Sequence, residues 1–342
     1  MANKKTTITE IARALAITPS AVSKALNNHP RISDTTKEAV AAMAKKMNYQ
    51  PNHLASALRK GKSNLLGVVI PMANISFFSS VVKGVEDVVN AEGYNVIISQ
   101  SHDSFEKECT NIEALLKTQV DGIIASIGNE TTDLQHYENV KEKGVPLIFF
   151  DRVDESLGVD TIIIDDYLGA FRAAEHLIDQ GCKRIAHIGG HKHVPLYHNR
   201  IKGYLEALRT HHLPIEEELI WESGLEIKDG REITEKLLAL SNPPDAIFAS
   251  SDYSALGAQQ LLLEQGINIP DEIAIIGFSN EPFTSYVTPS LSTVNQHSEQ
   301  MGQRAAKIFL ERMASKNKTD FMQNQTVLTP ELIIRDSSRR GT

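Results

Sequence analysis

The sequence predicts an α/β protein, with an all-α N-terminal head followed by a two-lobed core of doubly wound parallel sheets. Three observations support this fold class. Residues 7–26 carry the signals of two short, capped helices. From residue 65 onward, apolar runs alternate with amphipathic stretches, which is typical of parallel strands separated by helices. Lysine and arginine are concentrated before residue 63, so the charge changes sign where the pattern changes.

The head begins with two helices that each have a recognisable N-terminus. Thr7 and Glu10 have the spacing of a capping box, which predicts a helix after Thr7. Thr18 is a second N-cap residue, and Pro19 follows it at the first helical position, where the missing N–H is tolerated. Two short helices joined by a tight turn are predicted to form a helix-turn-helix. The apolar residues that pack them together are Ile8, Ile11, Ala12, Leu15, Val22 and Leu26.

The second helix is the candidate DNA-contacting element, because the N-terminal residues of that helix face the major groove in a helix-turn-helix. Its side chains there are small, polar or basic, which suits contact with phosphates and base edges. An ordinary helical hairpin is the alternative interpretation. The candidate DNA-binding residues of the head are Thr7, Thr18, Pro19, Ser20, Ala21, Ser23, Lys24 and Asn27.

A third helix is predicted from Ser33, with acidic residues near its N-terminus and lysines near its end, as the helix dipole favours. Pro51 begins a fourth, very short helix, which is too short to be stable alone in water. We expect this hinge helix to fold on binding DNA. The predicted domains are a head at 1–49 and a hinge helix with its linker at 50–62. The candidate DNA-binding residues of the hinge are His53, Ala57 and Leu58.

The charge distribution separates the head from the rest of the chain. The net charge of −8 divides into +8 for residues 1–62 and −16 for the remainder. A basic head on an acidic body is typical of a nucleic-acid-binding module joined to a domain that binds neither nucleic acid nor an anionic membrane.

The composition excludes several classes of protein. Cys109 and Cys182 are the only cysteines among 342 residues, so neither a disulfide framework nor a cysteine metal cluster is indicated. The N-terminus MANKKTTITE lacks the apolar segment of a secretory signal, and no apolar run is long enough to span a membrane. We therefore expect a cytoplasmic protein without a membrane partner.

Residues 63–342 are predicted to form a core of two similar lobes, because the strand-like runs are too many for one compact sheet. We divide it near Asp160, with 63–160 plus 291–325 in the N-lobe and 161–290 plus 326–340 in the C-lobe. Ligands of such folds bind at the carboxyl ends of the strands, in the cleft between lobes. The strand-like runs are 65–70, 95–99, 122–126, 147–150, 161–164, 184–190, 246–250 and 273–278. The helix-like stretches are 78–90, 105–118, 166–180, 198–211, 230–240, 252–264 and 298–313.

With these segments assembled, the chain resembles the lac repressor/galactose repressor family of bacterial transcription regulators, whose core is like a periplasmic binding protein. The matching motifs are TITEIARALAITPSAVSKALN, RISDTTKEAV, NYQPNHLASAL, IGG, HNRIKGYLEAL, SDYSALGA and PDEIAIIGF. They occur in the family's order from residue 6 to about residue 335.

The resemblance implies roles for residues of the head and hinge. Pro19, Ser20 and Lys24 stand at the positions through which the recognition helix reads its operator. Pro19 departs from the family in having no side-chain donor, so its contacts are apolar, for example with a thymine methyl group. Ala16 replaces the glycine usual in the turn. Leu58 matches the hinge-helix leucine that such repressors insert into the minor groove, where apolar wedges kink DNA; packing on the core is the alternative.

The resemblance also implies an effector site in the cleft. Asp151 and Arg200 are expected to anchor the effector, since a carboxylate and a guanidinium suit recognition of hydroxyl groups or anions. Phe77 and Phe78 are candidates for apolar walls. For each of these residues, Arg200 included, a structural salt bridge or core packing is the alternative. Ser279 stands where sugar binders of the family commonly have aspartate, and Leu225 also departs from them. The candidate effector-binding residues are Pro71, Ile75, Phe77, Phe78, Ser126, Asp151, Arg200, Leu225, Ser251, Ser279 and Gln296.

Two other classes of protein fit the sequence less well. A periplasmic solute-binding protein would need a secretory signal in place of the basic helical head. An enzyme is suggested by the histidines His191, His193 and His198, but these lack the spacing of a metal site and have no paired carboxylates at metal-ligand spacing. Asp165 and Asp166 are expected to begin a helix. We therefore expect neither catalytic activity nor a cofactor or metal.

The predicted function is sequence-specific DNA binding by a transcriptional regulator, with repression favoured over activation. We expect a homodimer that binds a palindromic double-stranded operator, one head per half-site. A small-molecule effector, a sugar or a sugar phosphate, is expected in the interlobe cleft. The alternative is the same regulator with a non-sugar effector or a protein co-regulator.

Overall fold

The computed structural model describes residues 6–49, 62–315 and 323–341. By its internal contacts the chain divides into two units, Met1–Ser63 and Asn64–Thr342. The predicted hinge helix, with His53, Ala57 and Leu58, lies in residues 50–61, outside the described residues.

The head contains three helices in its described residues: α1 (Ile8–Ala14), α2 (Pro19–Leu26) and α3 (Asp34–Lys46). The predicted capping box is present, because the backbone N–H of Glu10 donates to Thr7 Oγ1 and the backbone N–H of Thr7 donates to the Glu10 carboxylate. Thr18 caps α2 by accepting from the backbone N–H of Ala21 at 3.2 Å. The three helices share a small apolar core of Ile11, Ala12, Val22, Ala25, Val40 and Ala44.

The core has the predicted strand–helix alternation. Its strands are β1 (Leu65–Ile70), β2 (Asn95–Gln100), β3 (Gly122–Ala125), β4 (Leu147–Phe150), β5 (Asp160–Ile164), β6 (Ile185–Gly189), β7 (Ile220–Glu222), β8 (Ala246–Ala249), β9 (Ala274–Ile276), β10 (Thr293–Asn295), β11 (Gln325–Leu328) and β12 (Glu331–Ile333). Its helices are α4 (Ser76–Val89), α5 (Phe105–Lys117), α6 (Gln135–Glu142), α7 (Asp166–Asp179), α8 (Pro195–Thr210), α9 (Ile227–Leu238), α10 (Asp252–Glu264) and α11 (Ser298–Ala314).

Two parallel sheets organise these elements into two lobes. Within the described residues, the N-lobe sheet has six strands in the order β11-β5-β4-β3-β1-β2, all parallel. The C-lobe sheet has the parallel order β7-β6-β8-β9. Short parallel bridges continue it from β9 to the β10 segment, which pairs antiparallel with β12. The predicted fold class, with two doubly wound lobes behind a helical head, is confirmed.

The division between the lobes differs from the predicted one. Strand β5 at 160–164 pairs with β4, so it belongs to the N-lobe sheet and not to the start of the C-lobe. Residues 291–297 extend the C-lobe sheet, whereas β11 at 325–328 is the edge strand of the N-lobe. The lobe of each segment is decided by pairing with distant strands, which a local apolar pattern does not encode. Helix α6 and the short strands β7, β10, β11 and β12 were not predicted from the sequence.

Three stretches of the described chain cross between the lobes: Asp165, the residues after β10, and the residues between β11 and β12. Two of them run side by side, because the backbone N–H of Asp165 donates to the carbonyl of Leu328 at 3.0 Å. The remaining crossing follows β10. There His297 has a left-handed backbone (φ 53°), and its N–H donates to Asn295 Oδ1 at 3.0 Å.

Helix α4, which reaches the cleft, packs closely on α11 of the same lobe. Glycines stand on both helices at the contact. A Cβ added at Gly84 would lie 2.1 Å from the carbonyl oxygen of Glu299, and one added at Gly302 would lie 2.0 Å from that of Val81. Only glycine permits this backbone approach, so these residues fix the position of α4 in its lobe.

No helix in the described part of the chain is both long and apolar enough to cross a bilayer.

Candidate functional site

The first turn of α2 is the exposed surface of the helix-turn-helix. Pro19, Ser20 and Lys24 are exposed, while Ala21 and Ser23 are half-buried. A shallow concavity of about 490 Å³ lies between this turn and the start of α1, lined by Ile8, Thr9, Pro19, Ser20, Ser23 and Lys24. The candidate DNA-reading side chains of α2 are therefore presented together.

The other candidate DNA-binding residues of the head have capping roles or lie at the end of α2. The hydroxyls of Thr7 and Thr18 accept hydrogen bonds from the backbone at the start of α1 and α2. Asn27 is exposed, and its amide donates to the carbonyl of Ser23 at 2.7 Å. In the turn between the helices, Ala16 has a left-handed backbone with φ 55°, the conformation that glycine adopts at the lowest cost.

A cavity of about 1100 Å³ lies between the two lobes of the core. Pro71 and Ser126, which follow β1 and β3, are buried and do not line it. The candidate effector-binding residues that do line it are Ile75, Phe77, Phe78, Asp151, Arg200, Leu225, Ser251, Ser279 and Gln296.

The carboxyl ends of strands position most of these side chains, as expected for a doubly wound sheet. Asp151 directly follows β4, and Ser251 and Ser279 lie just beyond β8 and β9. Three wall residues, Asp151 (φ 59°), Leu225 (φ 62°) and Ser279 (φ 124°), have positive φ angles that non-glycine residues rarely adopt. Such strained backbone is concentrated at functional sites in proteins, where the surrounding structure maintains it.

Arg200 is held in place by contacts on its own lobe. Its Nε donates to Asp166 Oδ1 at 2.8 Å, and its Nη1 donates to the carbonyl of Ser250 at 2.8 Å. The guanidinium also lies over the ring of Phe278, 3.7 Å from the centroid. Burial raises the pKa of Asp166, and the adjacent Arg200 opposes this shift. Arg200 is therefore a fixed, already paired cation at the cavity wall.

Asp151, like Asp166, is an aspartate whose pKa is raised by burial. Burial raises its pKa to about 6, and attraction to Arg152 and Arg200 only partly offsets this effect. Its backbone N–H donates to the carbonyl of Ile162 on the neighbouring strand at 3.0 Å. Near neutral pH the side chain can therefore exchange between acceptor-only and donor forms, which suits recognition of a hydroxyl group.

Several residues of the wall were not predicted from the sequence, among them Arg152, Asn129 and Ser250. Arg152 pairs with Asp103 and lies 5.9 Å from the ring centroid of Phe78. The available signal was position, since Arg152 and Ser250 adjoin the predicted Asp151 and Ser251 at strand ends.

Two of the three histidines considered above lie at the mouth of the cavity. The rings of His191 and His193 stack with centroids 5.7 Å apart, and His191 Nδ1 lies 3.2 Å from Glu222 Oε1. His193 Nε2 lies 3.1 Å from the carbonyl oxygen of Asn129, on the opposite lobe.

Asp165 begins α7, as predicted, by accepting from the backbone N–H of Leu168 at 2.9 Å.

Comparison with known proteins gives the same two parts. The family described as "Bacterial regulatory proteins, lacI family" matches residues 7–52, and the "Periplasmic binding protein-like domain" matches residues 174–338. The chain is 32% identical to catabolite control protein A of Priestia megaterium over 94% of each protein. It is 30% identical to the HTH-type transcriptional repressor PurR of Actinobacillus pleuropneumoniae serotype 3, over 97% of this chain and 98% of that one.

Solved structures with similar folds cover nearly the whole chain. The complex of the transcriptional regulator CelR with cellobiose is 25% identical, with a TM-score of 0.73 over 97% of this chain and all of that one. The lac repressor dimer bound to operator and the anti-inducer ONPF is 24% identical, with a TM-score of 0.85 over 98% of this chain and 99% of that one, and shows the fold.

These matches confirm the resemblance seen in the sequence. The relatives are regulators and repressors of transcription, not enzymes, and they share both the head and the core with this chain. The chain is thus a DNA-binding transcriptional regulator and belongs to the lacI family of bacterial regulatory proteins.

Proposed function

We propose that the protein is a cytoplasmic repressor that binds a palindromic operator as a homodimer and responds to a small sugar bound in the interlobe cleft. The observation that carries this proposal is the cavity of about 1100 Å³ on the same chain as a helix-turn-helix. A cavity of this size is large enough to hold a small molecule. On DNA, Ser20 and Lys24 make polar contacts, Pro19 an apolar one, and Leu58 acts as the minor-groove wedge of the hinge.

The lining of the cavity suits a polyol. The rings of Phe77 and Phe78 lie edge to face with centroids 5.1 Å apart, and they offer an apolar surface to the carbon skeleton of a sugar. Three buried polar atoms of wall residues have no hydrogen-bond partner within the described chain: Arg152 Nε, Asn129 Oδ1 and Ser250 Oγ. A buried polar atom without a partner is costly, and sugar hydroxyl groups can supply partners at this wall.

The charges of the cleft favour a neutral sugar over a sugar phosphate. Arg152 and Arg200 are each paired with a carboxylate, Asp103 and Asp166 respectively. A phosphate would have to compete with these carboxylates for both cations. Of the similar structures, the CelR complex contains cellobiose, a neutral disaccharide.

An edge of the N-lobe sheet offers a surface for dimerisation. Strand β2 is an edge strand, and Ile98 in its middle is 49% exposed. Edge strands with exposed apolar side chains favour association, and a second copy of the chain would cover this one. Dimerisation also raises the affinity of two weakly binding heads by placing them at high effective concentration.

The effector is expected to act by shifting the balance between two lobe arrangements. A ligand can do so only through its different affinity for the two arrangements, which is typically about 1–3 kcal/mol of coupling.

Three measurements test this function. Genome-wide binding followed by footprinting should reveal a palindrome. Sedimentation should give a dimer that Ile98→Lys weakens. Val327→Lys, on the opposite edge of the same sheet, is the matched control and should leave the dimer intact. A calorimetric screen of neutral sugars, sugar phosphates and nucleobases should give a neutral-sugar ligand that Asp151→Ala no longer binds, although the variant still binds operator. A monomer without a palindrome would contradict the DNA part. A ligand unaffected by Asp151→Ala would contradict the cleft site.

A further inference from the structure

Glu281 of the C-lobe bonds to the N-terminus of α4 in the N-lobe. Its Oε2 accepts from the backbone N–H of Ser76 at 3.1 Å, and its Oε1 accepts from that of Phe77 at 3.0 Å. Glu281 is only 2% exposed and lines the cavity. One carboxylate therefore joins both lobes directly at the effector cleft.

This contact supplies a cap that α4 lacks in its own sequence. The residue at the N-cap position is Ile75, whose side chain makes no capping hydrogen bond. The first N–H groups of a helix need acceptors, and the helix dipole favours a negative charge at this end. Separation of the lobes would leave the N–H groups of Ser76 and Phe77 without Glu281.

The other side of the contact is fixed on the C-lobe. The backbone N–H of Glu281 donates to the buried Asp252 Oδ2 at 2.8 Å. Arg335 donates to Asn280 Oδ1 at 2.9 Å and to Thr284 Oγ1 at 3.0 Å, which holds the loop on both sides of Glu281. The carboxylate is therefore presented by a supported loop, and its interlobe bonds can form only when the cleft is closed.

We propose that Glu281 is an interlobe latch that stabilises the closed cleft before any effector binds. The Glu281 carboxylate and the first turn of α4 line the same cavity, so a ligand there alters the balance between closed and open lobes by strengthening or displacing this contact. The effect of a ligand on this contact rests on the proposed effector site in the cleft. The latch itself is a property of the ligand-free protein and can be tested without the effector.

The test is an interlobe distance measured by pulsed electron spin resonance on the full-length, ligand-free protein. Spin labels are placed by Lys107→Cys on α5 and Asn199→Cys on α8, which are exposed positions on different lobes, with Cys109→Ser and Cys182→Ala as background. We expect Glu281→Ala to lower the closed-to-open ratio by at least tenfold, because two hydrogen bonds to a charged group are lost. Glu281→Gln, which keeps one acceptor oxygen, should have a smaller effect.

A second variant removes a donor from the opposite side. Ser76 is the first residue of α4, where proline is tolerated, and Ile75 has the extended backbone (φ −92°, ψ 122°) that a following proline requires. Ser76→Pro should open the cleft by an intermediate amount without unfolding α4. Glu232→Ala, at an exposed position of the C-lobe helix α9, is the charge-matched control and should leave the distances unchanged.

Wild-type distances in Glu281→Ala would overturn the latch. If Glu281→Ala fails to fold, Ser76→Pro decides, and unchanged distances in that variant overturn the proposal equally. Failure of every screened sugar to bind wild type would instead refute the proposed effector class. The two failures are therefore distinguishable.

Discussion

Arg200 Nε lies 2.8 Å from Asp166 Oδ1, and this ion pair joins α8 to the first turn of α7 inside the C-lobe. Arg200 is 3% and Asp166 is 8% exposed. The residue expected from the family to bind effector is thus also a structural cation, and its removal affects stability as well as ligand binding.

Arg200→Ala is expected to destabilise the C-lobe by about 3–5 kcal/mol, because it leaves the Asp166 carboxylate buried without its cation. Urea unfolding followed by fluorescence of the single tryptophan, Trp221 on β7 of this lobe, measures the effect. The double variant Arg200→Met/Asp166→Leu should recover much of the loss. Arg231→Ala, which removes an exposed ion pair with Glu264, is the control and should change little. An equally small change in Arg200→Ala would contradict the structural role.

Asp151→Asn should make the protein more stable near neutral pH. The pKa of an aspartate in an unfolded chain is near 4, whereas that of Asp151 in the folded protein is about 6. Between about pH 4 and 6, the folded state therefore binds a proton that the unfolded state has lost, and stability falls as the pH rises. The variant lacks this loss, so its advantage should grow across that window to about 1–3 kcal/mol and then stay constant.

Thermal or urea unfolding of both proteins at several pH values from 4 to 8 measures this difference. Comparison with wild type at each pH removes the contribution of other groups, such as Asp252, whose pKa burial also raises, to about 7. A difference that does not depend on pH would show that the Asp151 carboxyl titrates normally.

Ala16→Gly is expected to stabilise the head by about 0.5–1 kcal/mol. A left-handed conformation costs alanine about 1–2 kcal/mol, and the gain is reduced by the larger entropy of glycine in the unfolded chain. Hydrogen exchange of the buried Val22 and Val40 amides in the full-length protein reports head stability. Ala14→Gly, placed in the right-handed last turn of α1, is the matched control and should destabilise. Faster exchange in Ala16→Gly would contradict the strain.

Lys24→Ala should weaken binding to operator and reduce the salt dependence of binding by about one counterion, because it removes a cation from the recognition helix. Ser20→Ala should reduce the preference for operator over random DNA without changing the salt dependence, because a neutral base-edge contact carries sequence information but no charge. Binding titrations at several salt concentrations measure both effects. Lys307→Ala, an exposed lysine of α11 in the core, should have neither effect. An unchanged salt slope in Lys24→Ala would place Lys24 away from the phosphates.

Local signals in the sequence were sufficient for most elements of the fold. The capping box of Thr7 and Glu10 and the N-cap of Thr18 were found because both partners lie within three residues. The parallel strands were found because both faces of each are buried, which leaves a continuous apolar run. Asp151 and Arg200 were placed at the cleft from the family motifs, and both line the cavity.

Interactions between distant segments could not be predicted in this way. The cap of α4 comes from Glu281, about two hundred residues further along the chain, and the residue at the N-cap position itself, Ile75, gives no capping signal. Strand β5 was given to the wrong lobe because its apolar run fits either sheet, and its pairing with β4 and β11 decides between them. Arg152 was missed because nothing local separates a buried, paired arginine from an exposed one.

The crossing of the chain between lobes has a consequence for synthesis on the ribosome. The four-stranded C-lobe sheet has all its strands once Ala274–Ile276 has emerged, whereas the N-lobe sheet waits for its edge strand Gln325–Leu328. The N-lobe, although encoded first, therefore stays incomplete until nearly the whole chain has been made, as does the β10–β12 extension of the C-lobe. Domains made of one continuous segment instead fold in the order of their translation. During that interval, strand β5 has an open edge, because β11 has not yet been made. A nascent chain stalled before residue 325 would expose this edge to cellular chaperones.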